Sequence, residues 1–111
     1  MSDYLPDLNI DELCEACWKG DEETVQEYID KGFSGFNEKA GCGRTPLSRA
    51  CWNGRVGVVK RLLKVKDIDV NVGNGYDKET SLSIASRYGH REIVSLLLEH
   101  GADPNKGMYC F

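Results

Sequence analysis

No apolar run in this chain of 111 residues approaches the about 20 residues that a membrane-crossing helix needs. The first residues, Met1-Ser-Asp-Tyr-Leu-Pro6, have neither the basic start nor the apolar core of a secretory leader, so the chain is expected in the cytoplasm or nucleus. Cysteine is odd in number: Cys14, Cys17, Cys42, Cys51 and Cys110 cannot all pair, and reduced thiols are the simplest account. Cys14-Glu-Ala-Cys17 has the C-x-x-C spacing, but no second paired set follows and only His90 and His100 could supplement it. Packing is the better reading, and neither a metal nor a cofactor is expected. A glycine-rich phosphate loop, paired catalytic carboxylates and a Ser-His-Asp order are also missing. Gly41-Cys-Gly43 and Asn74-Gly75 read as turn chemistry, so no enzyme is expected.

What the chain does contain is a period. Asn37, Asn71 and Asn105 stand 34 residues apart. At nearly the same interval come Leu13, Leu47 and Leu82, then Ala16, Ala50 and Ala85, Gly20, Gly54 and Gly89, and Val25, Val59 and Val94. Columns that agree at several fixed offsets mark an array of one structural unit. Within a unit, Thr45-Pro46 supplies an N-cap followed by proline at the first helical position, where its missing N–H is not needed. Leu47, Ala50 and Cys51 then share one helical face, and Asn53-Gly54, a pair that tolerates left-handed dihedrals, ends the helix. A second stripe, Val58, Val59, Leu62 and Leu63, is echoed by Ile93, Val94, Leu97 and Leu98 and by Val25, Tyr28 and Ile29. It predicts a second helix antiparallel to the first. The glycine-rich polar segments 37–44 and 71–79 read as hairpin-like loops between units. Six or so aliphatic side chains cannot offset the ordering of a whole unit, so neighbouring units must share a core.

These residues resemble the ankyrin repeat. Its signature T-P-L-H-x-A, then G-H, a V-x-x-L-L-L run and G-A-D-x-N, is matched by Thr45-Pro46-Leu47 and by Gly89-His90 through Gly101-Ala102-Asp103-Pro104-Asn105. The resemblance covers about residues 11–107 and implies an all-α solenoid of stacked helix-turn-helix units with hairpin-like loops. It divides the chain into an acidic extension at 1–10, repeats at 11–43 (cap-like), 44–78 and 79–107, and a short apolar tail at 108–111. The signature histidine is replaced by Cys14, Ser48 and Ser83, so smaller groups or water must serve the hairpin base, which should be looser. Gly101 has counterparts in Gly32 and, less regularly, in Lys66, and the loops before Asn37 and Asn71 each carry one extra residue.

Charge is segregated by unit. Residues 1–41 hold eleven acids against Lys19, Lys31 and Lys39, whereas residues 42–66 hold seven bases and no acid. Lys60, Arg61 and Lys64 on the second helix of the middle unit read as a solvated face. Arg44 at the hairpin and Arg49 on the first helix lie on the side that ankyrin proteins generally use for partners. Acidic flanking units would repel phosphate backbones, so nucleic acid is not an expected partner.

The resemblance implies a non-catalytic adaptor or scaffold that binds a protein or peptide in a concave groove. The positions pointing there are Trp18 and Lys19, Trp52 and Asn53, and Arg87 and Tyr88, with Trp18, Trp52, Arg87 and Tyr88 as anchors. Arg44 and Arg49 would select an acidic or phosphorylated segment. Packing of Trp18 and Trp52 on each other is the competing reading. Leu63, Asp69, Val70 and Asn71 fit the L-x5-D-V-N pattern favoured by asparaginyl hydroxylases, which makes Asn71 a candidate modification site, although the same residues serve the turn. The alternative is that the chain is the repeat portion of a larger multidomain regulatory protein, an enzyme, channel or ubiquitin-ligase adaptor. After Asn105 no further unit follows in the sequence. Either Met108, Tyr109 and Phe111 fold back over the last unit, or a partner, an absent repeat or a second copy covers that end.

Overall fold

A computed structural model describes residues 8–75 and 78–106. The expectations for Met108, Tyr109, Phe111 and Cys110 lie outside those residues, as does most of the 1–10 extension. Among the described residues six helices form three pairs: α1 (Ile10–Lys19) with α2 (Glu22–Asp30), α3 (Pro46–Trp52) with α4 (Val56–Leu63), and α5 (Ser81–Arg87) with α6 (Arg91–Glu99). No helix among the described residues is long and apolar enough to cross a membrane.

Local chemistry sets the helix starts. The side chains of Asn9, Asp21, Thr45 and Thr80 accept hydrogen bonds from the backbone N–H of Glu12, Thr24, Ser48 and Ser83, each satisfying a donor that the first turn leaves open. Thr24 donates from both its hydroxyl and its backbone N–H to Asp21, which holds that carboxyl below its usual range. Pro46 occupies the first turn of α3 as the Thr-Pro pair predicts. At the ends, Asn53-Gly54 closes α3 as expected, with Gly54 at φ +69 as the left-handed member and Asn53 at φ −97, the same arrangement as Tyr88-Gly89 after α5. One correction is needed. The left-handed partner of Gly32 and Gly101 is Asp67 at φ +66, and not Lys66. The irregular loop is accommodated by a residue type that tolerates this conformation.

The helices stack in two rows, α1 on α3 on α5 and α2 on α4 on α6, with each pair also packed internally. One core runs through the array: Leu13, Ala16 and Cys17, Leu47, Ala50 and Cys51, then Leu82 and Ala85 along the inner row, and Val25, Tyr28, Val58, Val59, Leu62, Ile93 and Leu97 between the rows. The columns hold less well at the third unit. Leu63 is buried at 6% exposure, whereas Leu98 in the same column is 47% exposed. Ser86 is exposed where Cys17 and Cys51 are buried. Cys14, Cys17, Cys42 and Cys51 are free thiols, and burial pushes Cys14 and Cys51 from an ordinary 9.0 up to about 12 and Cys17 in the same direction. These buried thiols are packing groups.

Between units the loops close as hairpin-like turns. Ala40 N–H donates to Arg44 O at 2.9 Å, Asn74 and Glu79 exchange backbone hydrogen bonds at 2.8 and 3.0 Å, and Gly75 N–H reaches back to Gly43 O. The base of the second turn is tied by Asn74, only 1% exposed. Its Oδ1 accepts from Thr45 N–H at 2.9 Å and Ser48 Oγ at 3.1 Å, and its Nδ2 donates to Glu79 O at 2.9 Å and Val72 O at 3.1 Å. The serine replacing the signature histidine thus works through a buried amide, while Cys14 Sγ bonds Arg44 O at 3.6 Å one unit earlier.

The repeating asparagines link each loop to the next. Asn37 Nδ2 donates to Asp67 O and its Oδ1 accepts from Asp69 N–H. Asn71 does the same to Gly101 O at 3.2 Å and from Asp103 N–H at 2.8 Å. We expect Asn71→Ala to lower unfolding stability by about 1–2 kcal/mol in urea melts, because it removes both bonds to the third unit and leaves backbone groups unpaired.

Candidate functional site

Trp18 lies in the last turn of α1, Trp52 ends α3, and Tyr88 caps α5, so stacking of the units brings the three rings into one ladder. Trp18 and Trp52 meet edge to face at 5.6 Å between centroids and 85°, and Trp52 stacks on Tyr88 at 6.0 Å and 20°. Both are favourable aromatic geometries. The tryptophans do pack on each other, as the competing reading held. Each is only half-buried, and Tyr88 is 46% exposed.

Arginines lie over the rings. Arg49 Cζ is 4.4 Å from the Trp18 centroid and Arg44 Cζ 4.5 Å from that of Trp52, both within cation–π range, while Arg87 lies 5.9 Å from Tyr88. Each is also held by a carboxylate. Arg49 Nη2 stands 3.9 Å from Glu15, Arg44 Nη1 stands 4.0 Å from Glu79, and Arg87 pairs with the other oxygen of Glu79. Glu79, with a side chain 5% exposed, therefore takes two arginines from different units. Lys19, 66% exposed, pairs with Glu15 at 3.6 Å.

The remaining predicted residue, Asn53, does not reach this surface freely. Its Nδ2 donates to Trp18 O at 2.8 Å, beside Arg55 Nε at 3.0 Å on the same carbonyl. One unit on, His90 Nε2 bonds Trp52 O at 3.0 Å. These bonds clamp the helix end carrying each tryptophan to the following unit. Arg55 lies where a Cβ on Gly20 would be, and His90 where one on Gly54 would be, so glycine is required at both by close approach as well as by positive φ.

The geometry is a rigid, half-open aromatic and guanidinium surface. Among the described residues no group of three or more His, Cys, Asp or Glu could hold a metal. The repeat architecture behind the surface has a clear kinship: residues 13–108 match the family of ankyrin repeats in three copies. This chain is an ankyrin repeat protein. It is 40% identical over 97 residues to a palmitoyltransferase, AKR1, of Lachancea kluyveri, a match covering 81% of this chain and 12% of that one. It is 37% identical over 96 residues to the ankyrin repeat and KH domain-containing protein mask of Drosophila melanogaster, covering 84% and 2%. An ankyrin repeat-containing protein of Schizosaccharomyces pombe is 32% identical over 103 residues, covering 92% and 70%. The chain thus spans only a small part of the first two relatives. Ankyrin repeats are protein-interaction modules and a non-catalytic fold.

In ankyrin register, Glu79 is the residue the sequence reading missed. It stands in the column of Arg44, and an acid following a base in one column of adjacent units is the signal that pairs them. Lys60 and Arg61 keep the solvated face expected of them, with side chains 54% and 39% exposed, and in addition pair across units. Arg61 donates to Glu22 at 3.0 Å and Gln26 at 2.6 Å on α2, and Lys60 pairs with Glu92 on α6. The bases of the middle repeat are largely spent on its acidic neighbours. Asn71, half-buried with both ends of its amide engaged, would present to a modifying enzyme only when the loop opens. Removing the carboxylate in Glu79→Ala leaves two guanidinium groups facing each other and should lower stability by about 2 kcal/mol, the effect being smaller for Glu79→Gln, as read by chemical denaturation.

Proposed function

We propose that this ankyrin repeat protein is an adaptor whose partner segment lies along the Trp18–Trp52–Tyr88 ladder. The observation that supports it is the ladder itself: three large rings, one from each repeat, packed on one another and partly open to water, Tyr88 most of all. Rigid aromatic side chains with arginine neighbours supply contact area at small entropic cost and dominate binding hot spots. Tyr88, Arg87 and Lys19 are the most exposed members and make the direct contacts. Around the rings, Arg44, Arg49, Arg87 and Lys19 outnumber Glu15 and Glu79, so the favoured segment is acidic or phosphorylated. Glu15 is 54% exposed, which lets a partner carboxylate take its place on Arg49.

The test is affinity capture with the wild-type protein and with the double variant Lys19→Glu/Tyr88→Ala, whose changes fall on exposed side chains but remove the Trp52–Tyr88 stack and the Lys19–Glu15 pair, so both proteins are compared at a temperature below the variant's own melting transition. A partner of the ladder should bind the variant at least about tenfold more weakly. Equal binding to both proteins by every captured partner would remove the ladder from the account.

A further inference from the structure

The hairpin between the second and third repeats contains a chemical instability that the fold keeps closed. Asn-Gly is the dipeptide in which a backbone nitrogen most easily attacks the preceding side-chain amide, because glycine leaves that nitrogen unhindered. The chain holds two such pairs, Asn53-Gly54 and Asn74-Gly75. At Asn74 every group in the reaction is engaged. Its Oδ1 accepts from Thr45 N–H and Ser48 Oγ, its Nδ2 donates to Val72 O and Glu79 O, and the would-be nucleophile, Gly75 N–H, donates to Gly43 O at 3.2 Å. Gly43, Thr45 and Ser48 stand at or near the start of α3, while Val72 and Glu79 flank the turn itself, so these bonds hold only while the hairpin leading into the third repeat is seated on the second.

We propose that Asn74-Gly75 is a self-modifying site gated by docking of the third repeat on the second. When the junction opens, hydroxide removes the Gly75 amide proton and the nitrogen attacks Asn74 Cγ. The new N–Cγ bond forms, the Cγ–Nδ2 bond breaks as Nδ2 takes a proton from water and returns hydroxide, ammonia leaves, and a cyclic imide remains. Water then opens the imide at either carbonyl, leaving aspartate or isoaspartate; no electrons change hands. The step is one-way for the fold. A carboxylate at this position, 1% exposed, has no N–H to give Val72 O and Glu79 O and instead sets negative oxygen against both carbonyls. Redocking fails, and with it the placement of Glu79 between Arg44 and Arg87 that carries the Tyr88 end of the ladder. Asn53-Gly54 differs, because Asn53 Nδ2 is tied to Trp18 O across the first junction, so the two sites report on different junctions.

Peptide mass spectrometry on the whole protein at mildly alkaline pH tests this by following the gain of about 1 Da at each Asn-Gly pair. The expected result is conversion at Asn74 at least about tenfold slower in the folded protein than in guanidinium chloride. Ser48→Ala, which removes the hydroxyl bonded to Asn74 Oδ1, should raise the Asn74 rate severalfold and leave Asn53 unchanged. Equal rates folded and unfolded, no conversion in guanidinium, or an Asn53 rate that rises with that of Asn74 in Ser48→Ala would each overturn the proposal. Asn74→Asp made directly should lose amide-exchange protection in α5 and α6. Wild-type protection in that variant would refute the one-way step, whereas global unfolding of it accords with the step and leaves the kinetic arm to decide the gate.

Discussion

The surface shared between successive units is the constraint from which everything else follows. No helix pair here encloses its own apolar face. Leu13, Leu47 and Leu82 are buried because α1, α3 and α5 cover one another, and Val59 and Leu62 because α4 lies between α2 and α6. The junctions are then fixed in register by polar groups that cross them. Asn37 and Asn71 grip the following loop, Asn74 ties the hairpin base, and Asn53, Arg55 and His90 clamp the tryptophan-bearing helix ends. Apolar burial supplies the driving force without direction, and the amides and guanidinium groups select one alignment.

Charge segregation serves the same junctions. A basic middle unit between acidic neighbours permits Arg49–Glu15 and Arg61–Glu22 on one side and Arg44–Glu79 and Lys60–Glu92 on the other. Most of these pairs are substantially exposed and individually weak, so their role is to favour this order of units over slipped ones. The pair involving Glu79 is different because its carboxylate is enclosed, and it lies where the arginines meet the aromatic ladder. The proposed recognition surface is thereby built from junction residues: what holds the repeats together also sets the rings and guanidinium groups in place.

Much of the fold was legible in the sequence, because the period, the Thr45-Pro46 cap and the apolar columns are all local or periodic signals. The ladder was legible too, since Trp18, Trp52 and Tyr88 fall at equivalent places in the units. What escaped were contacts that break the period. Asn74 stands in a column with Ala40 and looked like simple turn chemistry, yet it is the amide that replaces the missing histidine. Glu79 was hidden for a related reason, since a repeat period lines up like residues in a column and gives no sign of opposite charges that meet across units. Asn53 was placed on the binding surface by position, but its side chain turns to a neighbouring carbonyl, a choice set by tertiary geometry. Leu98 shows the limit of the columns themselves, because it lies on α6, the last helix among the described residues, and stays 47% exposed.

Because they share residues, the aromatic ladder and the junctions form and dissolve as one. Trp18 and Trp52 report the ladder by fluorescence, and circular dichroism reports the helices of all three units. Followed together through a urea titration, the two signals should trace one coincident transition, as expected when units too small to stand alone unfold cooperatively. A fluorescence change complete before helicity is lost would contradict the account, for it would mean the ladder is a loose ornament on a stack that holds without it.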